Sequence, residues 1–433
     1  MREPQTFPAP DSGLPALAAL AAAPVPVVAA PMAGGPSTPE LVAAVIRAGG
    51  SGMLAGGMKT PDAIRTEVEQ ARALLGQEAQ PASAGRSGAA PSSPGMRPDD
   101  GADLRLGVNL FVPDAVNTRV PARDGRAAAA RRREVEAFAE RLRPVASRLG
   151  AAVPTAEEAT PDPESEQAQF EQFLALAEEQ AWPWVTFTFG LPGPEVFARL
   201  VDAGVAPGVT VTDEAEARAA VGNGARLLVV QGPDAGGHRG TLDPAAEPGT
   251  APLEEVVREV RAACPSVPLI AAGGIAAADQ ARAALEAGAD AVQAGTAFLR
   301  TPEAGTSAAH RAGLARASER NGLLHGTTSG PDGLPNESAP EPDSFPNESA
   351  PGWADTTVTR AFTGRWARGL TVPFMAEFAD APAAYPEVNV LTGALRKAAA
   401  AAMDLDAVHL WAGTGAQKAR QVPAAEVVRS LAP

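Results

Sequence analysis

The chain has 433 residues, a single cysteine and a formal net charge of −15. That length supports one large domain with additions, or two domains, and a core that needs no disulfide help. A lone Cys264 excludes a disulfide framework and a Cys-based metal site within one chain. An acidic chain without a basic block is also a poor partner for nucleic acid or anionic membranes.

Leu14 to Ala33 is apolar, but prolines at 15, 24, 26 and 31 interrupt it, and Arg2 is offset by Glu3 and Asp11. It reads as a capping segment and a buried strand, neither a secretory signal nor a membrane span. The expected location is the reducing cytoplasm. Val25–Ala30 is the first strand, uninterrupted and rich in valine, as a parallel strand buried on both faces should be. Ser37-Thr38-Pro39-Glu40 then supplies a capping hydroxyl, a proline near the helix start and an acid in the first turn. The helix ends at Gly49-Gly50. A second strand at 51–57, a helix over about 60–75 and a third strand at 104–112 follow.

Residues 76–103 are rich in Pro, Ser, Gly and Ala and read as a mobile insertion. Residues 114–181 hold two helical patterns, the first arginine-rich around 131–149, and read as a second insertion with a solvated charged face. Strand-like runs return at 184–189, 208–211, 225–230, 268–272 and 291–293, separated by helical patterns such as Leu253–Ala263 and 277–287. Asp213 is placed to cap the helix after the fifth strand. About eight strands, each followed by a helix, is the count of a closed (β/α)₈ barrel. A doubly wound open sheet is the alternative, weakened because no strand-linked G-x-G-x-x-G is present. Residues 303–324 are helical. Ser329–Gly352 contains PNESAP twice and reads as a flexible loop. Residues 356–370 look ordered and basic, and helices are expected at 394–404 and 422–431.

In such a barrel, ligands bind at the C-terminal ends of the strands. This chain puts Met32 after the first strand and Asn109 in the third there. Gln231 and the glycine turn Gly236-Gly237 before His238 follow the sixth. Gly273-Gly274 follows the seventh, and Gln293-Ala294-Gly295-Thr296 lies at the eighth. Glycines let a flat ligand approach the backbone. Glycine turns after the last two strands leave N–H groups free for a phosphate dianion. Asn and Gln side chains suit a heterocycle edge. The set describes a phosphate-bearing cofactor with a polar ring, held without a metal. The bland reading gives these glycines only tight turns to make, and His238 only a surface loop.

PMAGGPSTPEL, LGVNLF, QGPDAGGHRGT, AAGGI, QAGTAFL, TRAFTGR and WAGTG occur here in that order. On these motifs the chain resembles the nitronate monooxygenase family of FMN-dependent (β/α)₈ enzymes. The resemblance implies FMN contacts from Asn109, Gln231, Gly236, Gly274, Gln293, Gly295 and Thr296. It places Met32 and Gly34 near the flavin ring and makes His238 the catalytic residue. It also implies oxidation of an anionic alkyl nitronate by O₂ to a carbonyl compound and nitrite, a nitroalkane-detoxifying chemistry. A neutral nitroalkane would need its α-proton removed, a role that suits His238. Two positions depart from the family pattern: Asp234 stands for its usual Glu, and Thr414 changes WAGQG to WAGTG.

The expected organisation is an FMN-binding barrel over 1–302, a smaller mainly helical lid or substrate region over 303–393, and C-terminal helices over 394–433 returning to the barrel. Oligomeric state stays open, with a homodimer among the options. A flavin-dependent enoyl-acyl-carrier-protein reductase and an NAD(P)H:quinone reductase remain as alternatives on the same scaffold. An IMP-dehydrogenase-like barrel would need a cysteine after the sixth strand, and Cys264 lies just before the seventh. A degenerate flavin-binding barrel acting as an interaction partner is the non-enzyme alternative.

Overall fold

The computed structural model describes residues 13–76, 101–119, 125–324 and 355–433. Most of the expected insertion 76–103, and all of the PNESAP loop at 329–352, lie outside the described residues. The chain opens with α1 (Pro15–Ala21), β1 (Val27–Ala29), α2 (Pro39–Arg47), β2 (Ser51–Ala55), α3 (Pro61–Gly76) and β3 (Leu106–Phe111). It continues through α4 (Gly125–Leu149), α5 (Ala156–Ala159), α6 (Pro163–Glu179), β4 (Trp184–Thr188), α7 (Pro194–Asp202), β5 (Ala206–Val211), α8 (Glu214–Asn223) and β6 (Leu227–Gln231). A two-residue strand, β7 (Gly237–His238), precedes α9 (Leu253–Ala263), β8 (Leu269–Ala272), α10 (Ala278–Glu286) and β9 (Ala291–Ala294). The remainder is α11 (Ala308–Leu324), β10 (Thr356–Thr359), β11 (Ala367–Leu370), α12 (Pro373–Glu377), α13 (Glu387–Ala401) and α14 (Ala424–Leu431).

β1 to β6, β8 and β9 form a closed parallel barrel, with β1 paired to both β2 and β9. The open-sheet alternative is thereby excluded. β7 stands apart and joins β10 and β11 in a three-stranded antiparallel sheet. The expected seventh and eighth barrel strands are therefore β8 and β9. Barrel strands alternate inward and outward residues. Outward Val27, Val108, Val185, Val209, Leu228 and Val292 pack under the surrounding helices. Inward Val28, Met53, Trp184, Val229 and Ile270 fill the N-terminal half, and Leu14 and Leu17 join them from α1 and its lead-in. The Trp184 ring has room because its neighbour in the adjacent strand is Gly107, where a Cβ would meet it at 2.5 Å. With that end plugged by Trp184 and α1, the barrel interior opens at its C-terminal end.

Local chemistry follows the sequence closely. Thr38 caps α2 by accepting from the Leu41 amide at 3.1 Å, and Asp213 caps α8 by accepting from Glu216 at 2.8 Å. Ser37 takes a different part. It accepts from the Met32 amide at 2.8 Å and donates to the Ala30 carbonyl at 3.2 Å, pinning the loop after β1.

The segment 114–181 departs from the expected mobile insertion. α6 packs Phe170, Phe173 and Leu174 into the shell around the barrel. α4 and α5 pack against α13 in a second core that also holds Phe362, Phe374 and Leu410. The stripe Val135, Phe138, Ala139, Leu142, Val145, Ala146 follows helical spacing on an arginine-rich helix, and its charge density hid it. Arg131 is likewise not part of a solvated face. It makes a bidentate bond to the buried Glu387 at 2.6 and 2.7 Å and donates to the Ala383 and Tyr385 carbonyls. α13 starts at Glu387, earlier than the alanine run suggested, because Val388 and Leu391 are buried in this second core.

Breaking a buried ion pair from one side strands the other charge. Arg131→Met is expected to lower the unfolding free energy by about 3 kcal/mol. Chemical denaturation of the purified variant checks this. A change near zero would show that the pair does not hold α4 to α13.

Candidate active site

Towards the C-terminal mouth of the barrel the inward positions become polar: Asn109, Thr186, Thr188, Thr210, Gln231 and Gln293. The Asn109 amide donates to the Thr186 carbonyl at 3.2 Å and to the hydroxyls of Thr186 and Thr188, both at 2.9 Å. Thr188 in turn shares a hydrogen bond with Thr210 at 3.1 Å. This chain of bonds spans β3, β4 and β5. Gln293 differs: its Oε1 is buried without a partner. A buried acceptor left open in a cavity mouth is suited to a ligand donor.

Gln231 organises the loop after β6. Its Nε2 donates to the His238 carbonyl at 3.0 Å, and its Oε1 accepts from the Gly240 amide at 2.8 Å. β7 is held from the other side by β11, with His238 opposite Ala367. The imidazole faces a box made by Phe189, Tyr385 and Trp411, with centroids 5.4, 6.0 and 5.5 Å away. Phe189 adopts a φ of +77°, a conformation rare for a bulky residue. Its carbonyl accepts from Arg365 at 3.1 Å, and the Arg365 guanidinium lies 4.3 Å from its ring centroid.

His238 Nε2 lies 2.9 Å from the Thr363 hydroxyl, which donates to the Arg365 carbonyl at 3.2 Å. A hydroxyl has one proton, so Thr363 accepts from Nε2–H. The neutral imidazole then keeps its lone pair on Nδ1. Burial pulls its pKa down to about 3, aided by the charges of Arg365 and Arg396. Those two arginines are buried themselves. Burial lowers both to about 10, so both stay cationic at neutral pH.

Three loops interlock beside this box. Gly273 and Gly274 have φ of +120° and +73°, and a Cβ on Gly274 would meet Asp234 Cβ at 2.8 Å and Thr414 Oγ1 at 3.4 Å. Thr414 donates its amide to the Asp234 carbonyl at 3.2 Å, and Gly413 donates to Thr296 Oγ1 at 3.0 Å. The two positions that depart from the family pattern thus meet each other at Gly274. Gly237, with φ +77°, has open space where a Cβ would stand, whereas Gly236 is pressed against Ala412 and Gly413. Gly295 lies against Met32, whose Sδ would be 3.4 Å from an added Cβ. Gly34 is exposed, with φ +83° and nothing near it. Ala294 points outward into the shell, and its carbonyl accepts from Ala30 at 2.9 Å to close the barrel. Cys264 caps the end of α9, and burial pushes its thiol up.

The family model described as nitronate monooxygenase matches residues 16–80, 108–332 and 347–433. The chain belongs to the nitronate monooxygenase family. It is an oxidoreductase of a family that is typically flavin-dependent. The nitronate monooxygenase of Pseudomonas aeruginosa is 32% identical over 416 residues, covering 94% of this chain and 95% of that protein. A crystal structure of nitroalkane oxidase from Streptomyces ansochromogenes is 35% identical, with a TM-score of 0.71 and 96% of each chain covered. FabK from Thermotoga maritima shares the fold at a TM-score of 0.58 and 20% identity, covering 94% of this chain and 91% of that one.

Within this nitronate monooxygenase fold, Phe189, Thr363, Arg365, Tyr385 and Trp411 join the expected residues around His238. Thr363 and Arg365 lie in TRAFTGR and Trp411 in WAGTG, motifs that carried the resemblance without carrying a role. Tyr385 is the sole tyrosine of the chain, a signal open to reading beforehand.

His310, which binds the Trp411 carbonyl at 3.0 Å, is also pulled down by burial, to about 4. A histidine kept neutral in the fold costs stability as pH falls below its unfolded value, because the unfolded chain takes the proton first. His310→Gln is therefore expected to gain stability relative to the parent chain as pH drops from 7 to 5. Paired denaturation curves at both pH values measure this, and a constant gap between them would contradict it.

Proposed function

We propose that the barrel mouth holds FMN and that the chain oxidises alkyl nitronates with O₂ to a carbonyl compound and nitrite. The observation that carries this reading is the His238 box. It sets a neutral imidazole and aromatic walls within the field of two buried cations, Arg365 and Arg396. An anionic substrate is drawn to such a chamber, and a neutral His adds no charge that must be removed.

The residues fit the cofactor. The unpartnered Gln293 Oε1 offers an acceptor to a ligand N–H or O–H. The positive-φ turn at Gly273-Gly274 and the start of the turn at Gly295-Thr296 offer backbone amides to a phosphate. Gly237 and Met32 would line the ring's edge. Once bound, the flavin supplies the electron-transfer chemistry with O₂, and the protein supplies position and charge.

The chain's own residues then divide the work. Phe189, Tyr385 and Trp411 exclude water from the substrate's carbon end. Arg365 and Arg396 favour the nitronate charge. Gln231 and Thr363 fix the height and tautomer of His238. With a neutral nitroalkane, Nδ1 would take the α-proton. Its low pKa makes that transfer costly until the nitronate charge develops beside it. Preformed nitronates are therefore the better substrates. In this reading residues 303–393 and the C-terminal helices after them form the roof over an FMN barrel. The closer likeness to nitroalkane oxidase and nitronate monooxygenase than to FabK favours this over the reductase alternatives.

An oxygen electrode with the FMN-loaded enzyme and ethylnitronate, with and without NADH, tests the reading. Oxygen uptake and nitrite release without NADH are expected. Flavin reduction only with NAD(P)H, and no nitrite, would sink it. His238→Ala should cut nitroethane turnover about 100-fold, and ethylnitronate turnover far less. Equal losses on the two substrates would rule out the base role.

A further inference from the structure

The small sheet has two faces. Neighbouring residues on a strand point to opposite sides. His238 and its partner Ala367 face the reaction chamber, so Arg239, Trp366 and Arg368 face away. The Arg239 amide donates to the Trp366 carbonyl at 2.8 Å, continuing that register by one residue. Val358 on β10 lies opposite Arg368 and shares the same side. Against this face the loop 247–250 leaves a cavity of about 310 Å³. None of its walls belongs to the chamber around His238.

Its chemistry is unusual. Arg239 is 2% exposed. Its Nη1 donates to the Gln231 and Gly232 carbonyls, but its Nε has no partner. Trp366 Nε1 is also buried and unpartnered. The Arg360 guanidinium stacks 4.2 Å from the Trp366 ring centroid, and its Nε is unpartnered as well. Arg368 is tied by Nε to the Pro233 carbonyl at 3.0 Å and by Nη1 to Thr356. Among the described residues the one carboxylate lining the cavity is Glu247, which is mostly exposed and lies 3.5 Å from Arg360. Thus two lining arginines and a third over the indole meet one peripheral acid in the cavity lining, with Glu216 and Asp234 further off but within electrostatic range of Arg239. Unmet buried donors cost free energy, and those of Arg239 and Trp366 belong to residues that line the cavity, where the described protein atoms supply no acceptor. An acceptor that is also anionic answers both the donors and the charge.

We propose that the outer face of the three-stranded sheet binds a small oxyanion, a phosphate or a carboxylate, separately from the reaction chamber. Planar guanidinium groups suit either group. The cavity is near the lower end of the range for small-molecule sites, which fits a compact anion more than a large ligand.

Calorimetric titration of the full-length, FMN-saturated protein tests this, since the cofactor then fills its own phosphate pocket. Inorganic phosphate and malonate are the two probes, and the tighter one identifies the oxyanion class. Saturable binding of at least one probe, with a stoichiometry near one and weakened by added NaCl, is expected. Arg368→Gln should weaken it about tenfold or more, and Trp366→Phe, which removes a single donor and keeps the ring, about fivefold. Thermal unfolding identifies a misfolded Arg368→Gln, in which case Trp366→Phe decides alone. No saturable heat with either probe, or an affinity unchanged by the folded variants, would overturn the proposal and leave the donors to water.

Discussion

The carboxamide of Gln231 is the constraint on which the site depends. It is the last residue of β6, and both ends of its side chain bind the backbone of the loop that follows, at His238 and Gly240. That bond pair turns the chain back on itself at the barrel mouth. It presents β7 to β11, and the register that results sends His238 into the chamber and Arg239 away from it. Gln231 was expected to contact the cofactor, and in the structure both ends of its carboxamide hold the loop that carries His238. Gln293, at the matching height two strands away, keeps a free acceptor and is the better placed of the two to meet a ligand.

A second theme is charge. The chain is strongly acidic, yet several of its arginines are buried, among them Arg239, Arg365 and Arg396. Arg365 donates to the Phe189 and Thr241 carbonyls. Arg396 binds Asn389 and Thr392. Each is thus satisfied largely by carbonyls and amides, not by a carboxylate held against it. The charges of Arg365 and Arg396 reach His238, while Glu216 lies within electrostatic range of both Arg239 and Arg365. Alongside burial, the charges of Arg365 and Arg396 keep His238 unprotonated, Arg396 does the same for His409, and Arg311 does so for His310. Against the repulsion of an acidic exterior, these buried cations favour an anion at the site, and together with burial they hold off protonation of His238.

Much of the barrel was legible beforehand because parallel strands buried on both faces are short, β-branched and uninterrupted. All eight expected barrel strands are present within a few residues of their expected limits, from Val27–Ala29 to Ala291–Ala294. The glycine motifs lie at the C-terminal ends of the strands, as expected, since a positive φ or a close backbone approach leaves few other residue types. Elements with conflicting signals were harder. α4 carries an apolar stripe under a run of arginines, and composition alone read as an insertion. β10 and β11 are short, and β7 has only two residues, too few for any periodicity to show.

The sequence by itself determined the barrel, its family and the glycine turns after β8 and β9, because those depend on local pattern and on residue type. Tertiary structure alone decided what His238 faces. Thr363, Tyr385 and Trp411 lie 125 to 173 positions further along the chain, and only the pairing of β7 with β11 and the packing of α13 bring them to the imidazole. Tautomer, depressed pKa and the cationic field all arise from that convergence. They are properties of distance and burial, and no stretch of sequence contains them.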